Sequence, residues 1–461
     1  MELLYKVKDR PSVGKILIFA LQQFLSIVAG TVTMPLIVGG LSQSAALFGA
    51  AIGTLVYLLI TRFKSPVFLG SSFSFLGSMS AAFAGASTAA IGYVGVIIGA
   101  ILAGLVYVIL SIIIHFTGRA WIERIMPPII VGPVVIIIAL SLAPQAVNNL
   151  TSGNVIVDGV ATANPYLCLL CGFIAFVVVV ICSVYGKKMI KLIPFIIGIL
   201  AGYAVALIFT LIGNATGVKE LMIINFDAFN DIKWVPDFAF THIADGISDL
   251  KDSGDFLPYL GLIAASYVPV ALAVFAEHIA DHKNISQIIE TDLLEDPGLD
   301  KTLMGDGLGS MVGAICGACP NTTYGESISC IAFSKNASII TIVVTSLMAL
   351  AFSFLGPVMA FFATIPNCIV GGISIALYGL IALSGFNMLF KVDVKKQKNL
   401  FVVVVILVFG IGGLVIQIEH VVFPSVAVAF VAGLFIYSLI NIGERKKAKK
   451  LKENEDNNGT K

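Results

Sequence analysis

The sequence predicts an all-α polytopic membrane protein of fourteen transmembrane segments, arranged as two inverted seven-span repeats with short, broken third and tenth spans. Three observations predict it. The 461 residues are 58% hydrophobic and 12% charged, with a mean hydropathy of +0.99, whereas a soluble domain is nearer 45–50% apolar and about 25% charged. Apolar runs of about 20 residues, the length that crosses ~30 Å of hydrocarbon, recur along almost the whole chain. Short patterns in the first half return in the second, each displaced by seven spans.

The spans fall at 16–37, 45–61, 66–84, 91–116, 125–143, 166–185, 192–212, 257–280, 302–318, 321–334, 338–362, 367–388, 399–416 and 420–442. Met1–Lys15 is polar and basic, but the apolar run behind it, Ile16–Leu36, lacks a small-residue cleavage site and reads as the first span rather than a secretory signal. Spans three and ten are short and rich in Gly, Ser and Thr. The largest polar interruption is 213–256, and the charged tail Glu444–Lys461 is expected to be disordered.

Charge placement tests the count. With the N-terminus in the cytoplasm, every loop that follows an even-numbered span lies on the same side. Of 28 Lys and Arg residues, all but Lys219, Lys233 and Lys251 then sit inside, with Arg62, Arg119, Arg124, Lys188, Lys191, Lys283 and Lys335 among them. The three exceptions share the long 213–256 loop, where the positive-inside bias weakens. Dropping either short span would invert every later loop and destroy the asymmetry. Both termini are therefore placed in the cytoplasm of a multi-pass protein of the cell's inner membrane. The net charge of +1 gives no indication of a nucleic-acid partner.

The internal repeat is carried by three pairs of segments. Met126-Pro127-Pro128-Ile129-Ile130-Val131-Gly132 opens span five as Ile365-Pro366-Asn367-Cys368-Ile369-Val370-Gly371 opens span twelve. Leu47-Phe48-Gly49…Gly53 in span two matches Leu303-Met304-Gly305…Gly309 in span nine. Pro66…Gly70-Ser71 in span three matches Pro320…Gly325-Glu326 in span ten. Seven is odd, so the second half sits upside down relative to the first, an architecture of transporters with the substrate near mid-membrane at the repeat interface.

Spans three and ten point to the site. Each begins with an extended stretch behind a proline and then turns helical. Unwound backbone at membrane depth is tolerated only where it is buried in protein or lines a cavity. Two half-helices starting there aim free N–H groups and positive dipole ends into one small volume, which suits a carbonyl-rich ligand. Four acids lie at membrane depth, Glu277, Asp281, Asp306 and Glu326, where a charge costs at least ~2.5–3.5 kcal/mol. Glu277 and Asp281 are one turn apart and share a helix face. If span eight stops at 280, Glu277 is near its inner end; if the helix continues to Ile289, Glu277 lies deeper. Close packing of acids away from water makes proton uptake near neutral pH feasible, so Glu277, Asp281 and Asp306 are the candidate proton-coupling residues.

Other motifs have plainer readings. His278-Ile279-Ala280-Asp281-His282 has the i, i+4 imidazole spacing of a metal site, but His115, His242 and His420 each lie in a loop or at a span end, so no third ligand is apparent. An intramembrane metalloenzyme is therefore a remote alternative, and neither a metal nor another cofactor is expected. The CxxC pairs Cys168/Cys171 and Cys316/Cys319 fall within spans and read as small apolar packing residues. Gly305-Asp306-Gly307-Leu308-Gly309 has no βαβ unit around it and reads, with Gly313 and Gly317, as a face for close helix packing.

Leu69-Gly70-Ser71-Ser72-Phe73, Phe275-Ala276-Glu277-His278, Asp296-Pro297-Gly298-Leu299 and Pro320-Asn321-Thr322-Thr323-Tyr324-Gly325-Glu326 together resemble the nucleobase–ascorbate transporters, or nucleobase:cation symporters, and among them bacterial uracil permeases. The likeness runs the full chain. It implies import of uracil by proton symport through alternating access, without enzymatic chemistry. A core domain would comprise residues 1–120 and 257–364 (spans one to four and eight to eleven). A gate domain would comprise 121–256, including the outer loop, and 365–443 (spans five to seven and twelve to fourteen), with 444–461 a cytoplasmic tail. Glu277 and Glu326 would accept from the pyrimidine N–H groups, and the backbone amides of Phe73 and Gly325 would donate to its carbonyls, with Gly30 and Tyr324 close by. A homodimer in membrane lipid is also implied. The chain departs from the family pattern at Gln22-Gln23, where Gln-His is usual, at Ser327, Ser329 and Ser334, and at Asp281, where uracil permeases tend to carry His and purine members Asp. A proton symporter for xanthine or uric acid is therefore the alternative within the family. Glu326, in place of the Gln typical of purine transporters, favours uracil.

Overall fold

The computed structural model describes residues 3–118, 121, 127–157, 160–187, 190, 193–254, 256–317, 319–418, 421–423 and 425–458. Met1, Arg119, Arg124, Met126, Lys188, Lys191, His420 and Lys461 lie outside the described residues. The chain opens with α1 (Val13–Val38) and α2 (Gln43–Ile60). Strand β1 (Leu69–Ser71) and a 3-10 turn (Phe73–Phe75) lead into the short α3 (Leu76–Ala84), followed by α4 (Ala89–Thr117). α5 (Pro128–Ser141) and α6 (Ala143–Asn149) precede a small hairpin, β2 (Ile156–Val157) with β3 (Val160–Ala161), then α7 (Pro165–Tyr185) and α8 (Pro194–Thr216). The polar stretch after α8 holds 3-10 turns and the amphipathic α9 (Ile243–Ser253). Next come α10 (Phe256–Ile289) and α11 (Leu299–Gly317). Strand β4 (Asn321–Thr323) leads into α12 (Gly325–Ser334), and the chain continues through α13 (Ile339–Ser353), α14 (Gly356–Ala363), α15 (Asn367–Leu389) and α16 (Gln397–Ile411). A hairpin, β5 (Ile416–Ile418) with β6 (Val421–Phe423), and α17 (Ser425–Asn458) complete it.

The chain is thus an all-helical polytopic membrane protein. Among the described residues, nine helices are long and apolar enough to cross a membrane, or ten if the bent pair α13–α14 is one span. Four features differ from the hydropathy reading. α10 runs unbroken to Ile289, past the 280 boundary, because the amphipathic stretch after Ala280 keeps His282, Ile285 and Ile289 on a buried face. The span read as one helix over 338–362 is two helices bent by 78°; Gly356-Pro357 breaks it, since the proline sits comfortably only in the first turn of a new helix. Spans thirteen and fourteen do not meet at 416–420, for helix α16 ends at Ile411 and the β5–β6 hairpin intervenes. The tail is helical to Asn458 rather than disordered, as its Glu, Lys, Ala and Leu content favours once the last apolar helix has nucleated the turn.

Small residues determine the closest packing. α2 and α11 cross with Gly49 against Gly313 and Gly53 against Gly309; a Cβ on Gly49 would stand 2.3 Å from the Gly313 carbonyl oxygen. The opposite side of α11 brings Gly307 against Gly104 of α4, and close packing is the role read from the glycine pattern. α5 and α15 meet through Gly132 and Gly385, and Gly372 of α15 lies on the backbone of Gly172 in α7. Two bodies of packed helices result: α1, α2, α4, α11 and α13 on one side, α5, α7, α8, α15, α16 and α17 on the other, with α10 touching both. All seven cysteines are free, and six are buried.

Candidate functional site

β1 and β4 pair antiparallel, with Leu69 opposite Thr323, Gly70 opposite Thr322 and Ser71 opposite Asn321. Around this two-stranded ribbon every polar backbone atom needs a partner, and the neighbouring helices supply them. Thr54 of α2 accepts from the Leu69 amide at 2.9 Å and donates to its carbonyl at 3.1 Å. Asn321 donates to the Gly49 carbonyl at 3.1 Å, and its own amide donates to Ser310 Oγ at 3.0 Å. Gln23 of α1 donates to the carbonyl and hydroxyl of Ser327. The Tyr324 hydroxyl donates to the Ser71 carbonyl at 2.9 Å, and its ring lies flat against Gly70, where a Cβ would come within 2.3 Å of it. Gly30 of α1 lies beside the Tyr324 hydroxyl and the Phe73 ring.

The ribbon positions two helix starts. Phe73 and Gly325 are the first residues of their helical turns, and neither preceding residue, Ser72 or Tyr324, caps through its side chain. First-turn N–H groups have no intrahelical acceptor, so both starts present donors and positive dipole ends outward. They face a cavity of about 730 Å³ lined by Ser72, Phe73, Ser74, Tyr324, Gly325 and Glu326 from these starts, and by Glu277 and Asp281 from α10. A Cβ on Gly325 would meet nothing within 4 Å, consistent with open space before it. Ser74 Oγ donates to Glu277 Oε2 at 3.1 Å, and Thr323 Oγ1 donates to Asp281 Oδ2 at 2.6 Å. Each bond leaves carboxylate lone pairs free to accept from a ligand.

The structure therefore brings Glu277, Asp281, Glu326, Phe73, Tyr324 and Gly325 to one cavity, with Gly30 just behind its wall. Glu277 is inside the 34-residue α10, as the longer reading of that helix requires. Asp306 is placed apart from the cavity. It is fully buried on α11, hydrogen-bonded to His278 Nδ1 at 2.7 Å and accepting from Thr322 Oγ1 at 3.5 Å. Both imidazoles of the metal-like motif are engaged within the protein: His278 Nε2 also meets Thr302 at 3.2 Å, and His282 Nε2 meets the Tyr57 hydroxyl at 2.7 Å. Among the described residues no group of three or more His, Cys, Asp or Glu side chains is placed to hold a metal ion.

Several lining residues escaped the sequence reading. Ser74 and Thr323 hold the two α10 carboxylates, Asn284 and Ser329 extend the polar wall, and Phe195, Leu377 and Ile381 supply an apolar wall from α8 and α15. Helical spacing alone could have found Asn284, three residues beyond Asp281 and seven beyond Glu277. Nothing local marks Leu377 or Ile381, since they resemble every other residue of an apolar span.

Comparison with known proteins gives this geometry a context. The Permease family model of the xanthine–uracil permeases matches residues 14–419. The chain belongs to that family, the nucleobase–ascorbate transporters. The permease is 35% identical to a uracil permease of Bacillus caldolyticus over 90% of its own length and 89% of that protein's. It is 33% identical to a uracil permease of Bacillus subtilis over 96% of both. A uracil permease of Escherichia coli K12 is 29% identical over 95% of this chain and 94% of the relative. In fold the permease is similar to the murine Slc26a9 anion transporter in the inward-facing state, with a TM-score of 0.63 at 14% identity over 95% of this chain and 70% of that one. It is likewise similar to the transmembrane domain of the cyanobacterial bicarbonate transporter BicA, with a TM-score of 0.62 at 14% identity over 94% and 99%. The protein is a nucleobase permease of the uracil permease family, and not an enzyme.

Proposed function

We propose that the permease imports uracil by proton symport through alternating access. The observation that carries the proposal is the meeting of two uncapped helix starts with Glu277 and Glu326 at one cavity. Uracil is a flat neutral ring with alternating N–H donors and carbonyl acceptors. The carboxylates accept from the N–H groups, and the amides of Phe73 and Gly325 donate to the carbonyls. Tyr324 and Gly30 shape the floor. The cavity volume falls within the roughly 300–1,000 Å³ usual for small-molecule sites. Relatives named uracil permeases at 33–35% identity support this substrate. Asp281 in the cavity wall favours a second reading, a xanthine or uric acid symporter.

Fourteen spans in two inverted halves account for the packing. The sequence-matched partners α2 and α11, α5 and α15, and β1 and β4 are each in direct contact, with the strands antiparallel. The body of α1–α4 and α10–α14 acts as a core (1–120 and 257–364) that carries the substrate. The body of α5–α8 and α15–α17 (121–256 and 365–443) is the gate. The cavity descends past Ser183 near the end of α7, Pro194 at the start of α8, and Asn284 toward the end of α10. With both termini cytoplasmic in the cell's inner membrane, that is the inner end, and this conformation faces inward. Protonation of the acidic cluster of Glu277, Asp281 and the buried Asp306 permits uracil to bind from outside, and rigid movement of the core against the gate then exposes it inside. The assembly is a homodimer.

Radiolabelled uracil uptake into a strain lacking its own uracil carriers tests the coupling. Uptake should be concentrative and should collapse when a protonophore is added, and excess xanthine should compete little. Uptake indifferent to the proton gradient would refute symport, and strong competition by xanthine would shift the assignment to the purine reading.

A further inference from the structure

Two segments that carry the chain between the gate and core bodies meet each other: the polar stretch from α8 to α10, and the bent arm α13–α14 that leads into α15. The first is tied to the gate at its start, where the amides of Ile223 and Ile224 each donate to Thr210 Oγ1 of α8 at 3.1 Å. Its end is tied to the core. The Phe238 ring packs on Phe48 of α2 at 4.9 Å, His242 stacks on Tyr93 of α4 at 4.3 Å, and Thr88 Oγ1 donates to Asp249 of α9 at 2.8 Å. The crossing itself is therefore confined to residues 225–237. Within it, the turn Asp227–Phe229 touches α14, and Ile232 and Lys233 lie against Gly356 at the bend of the second segment. The second segment reaches the gate at Thr364, whose hydroxyl is 2.9 Å from the Tyr203 hydroxyl of α8.

We propose that Asn154 is a positioning residue that pins both segments to the gate, so that the core and α9 swing as one body from that anchor. Asn154 is partly buried in the loop between α6 and β2, and it does not line the nucleobase cavity. Its backbone N–H donates to the Ile223 carbonyl of the first segment at 3.0 Å. Its side chain holds the second: Nδ2 donates to the Ile365 carbonyl at 2.9 Å, and Oδ1 accepts from the Asn367 amide at 3.0 Å. Pro366, between those two groups, has no N–H of its own, and Asn367 is the first residue of α15, whose amide has no intrahelical acceptor. A short side chain with one donor end and one acceptor end satisfies both at once, which is what asparagine offers. The neighbouring Ser152 carbonyl accepts from the Cys368 amide at 2.9 Å and extends the clamp by one residue.

Fixed ends determine where the joint can bend. Domain movement is absorbed by a few loop or element-terminal residues, and here those left between the anchors are 225–237 and the 78° bend ahead of Gly356. Loosening the anchor would let the linkers take up the movement instead of the core.

This inference rests on alternating access by movement of core against gate, and its test separates rate from binding. In Asn154→Ala, maximal uracil uptake should fall roughly 10-fold, while uracil affinity of the purified chain, read from its thermal stabilisation, stays within about twofold. Asn154→Asp keeps the acceptor for the Asn367 amide and should recover part of the rate, which a general loss of folding stability would not produce. Unchanged uptake by Asn154→Ala, or affinity falling in step with uptake, would overturn the proposal. A second measurement needs no change at the clamp. Joining Thr88→Cys to Asp249→Cys with a short bis-thiol reagent should leave uptake intact, because α4 and α9 travel together; blocked uptake would contradict that. An unaltered chain that neither binds nor takes up uracil would instead strike the symport reading itself.

Discussion

Glu326→Gln and Glu277→Gln are each expected to weaken uracil binding by roughly 10–100-fold, the cost of losing one hydrogen bond to a carboxyl oxygen and leaving a buried donor without an acceptor. The amide that replaces either carboxylate keeps the size and one acceptor but presents an N–H₂ to a pyrimidine N–H, so a donor faces a donor. The two variants should differ in a second respect. Glu277 is already tied to Ser74 Oγ and stands on the same α10 face as Asp281, so its loss should also flatten the dependence of uptake on external pH. Glu326 has its place at the first turn of α12, and its variant should lower affinity while leaving that dependence in place. Binding to purified variants, alongside their melting temperatures, separates site damage from misfolding. Unchanged uracil affinity in a folded Glu326→Gln protein would remove that residue from the site.

Gly70→Val is expected to abolish transport altogether. A Cβ at this position would be 2.3 Å from the ring of Tyr324, and the ring cannot retreat without giving up its hydrogen bond to the Ser71 carbonyl. The pair β1–β4 must then open or shift, and both helix starts move with it. Overpacking of this kind costs roughly 1–3 kcal/mol in a close-packed interior, so the protein should still be recovered from membranes while uptake is lost. Gly325→Ala makes the informative contrast. No atom lies within 4 Å of the added methyl, so the fold should be unaffected and only substrate affinity should fall. Uptake by Gly70→Val at the native rate would show that the ribbon does not position the site.

Much of the architecture is legible in the residues because lipid leaves the backbone few options. Runs of apolar residues must be helices, and Gly70, Gly325 and the prolines ahead of them mark where two helices are allowed to break. Glu277, Asp281 and Glu326 announce themselves by their cost at membrane depth. What hydropathy misses is whatever depends on partners from distant segments. Asp306 sits among acids by sequence, yet a buried imidazole from α10 claims it and holds it away from the cavity. The extension of α10 to Ile289 depends on the burial of His282 against Tyr57, a residue of α2. The bend between α13 and α14 was marked by Gly356-Pro357, but the surrounding hydrophobicity averages over a local break. Apolar cavity walls such as Leu377 and Ile381 carry no local mark, since only the cavity that α15 shares with the half-helix starts makes them part of a site.

Thermal unfolding of the purified permease against a panel of free nucleobases bears most directly on the cavity between the two helix starts. Ligand that binds only the folded state at a hundred times its dissociation constant adds about 2.7 kcal/mol of stability, which appears as a clear rise in melting temperature. Uracil is expected to give that rise in the unaltered chain and to lose at least half of it in Glu326→Gln at the same concentration, with xanthine and adenine giving little. No shift with any nucleobase, or a uracil shift that survives removal of both Glu277 and Glu326, would contradict the account.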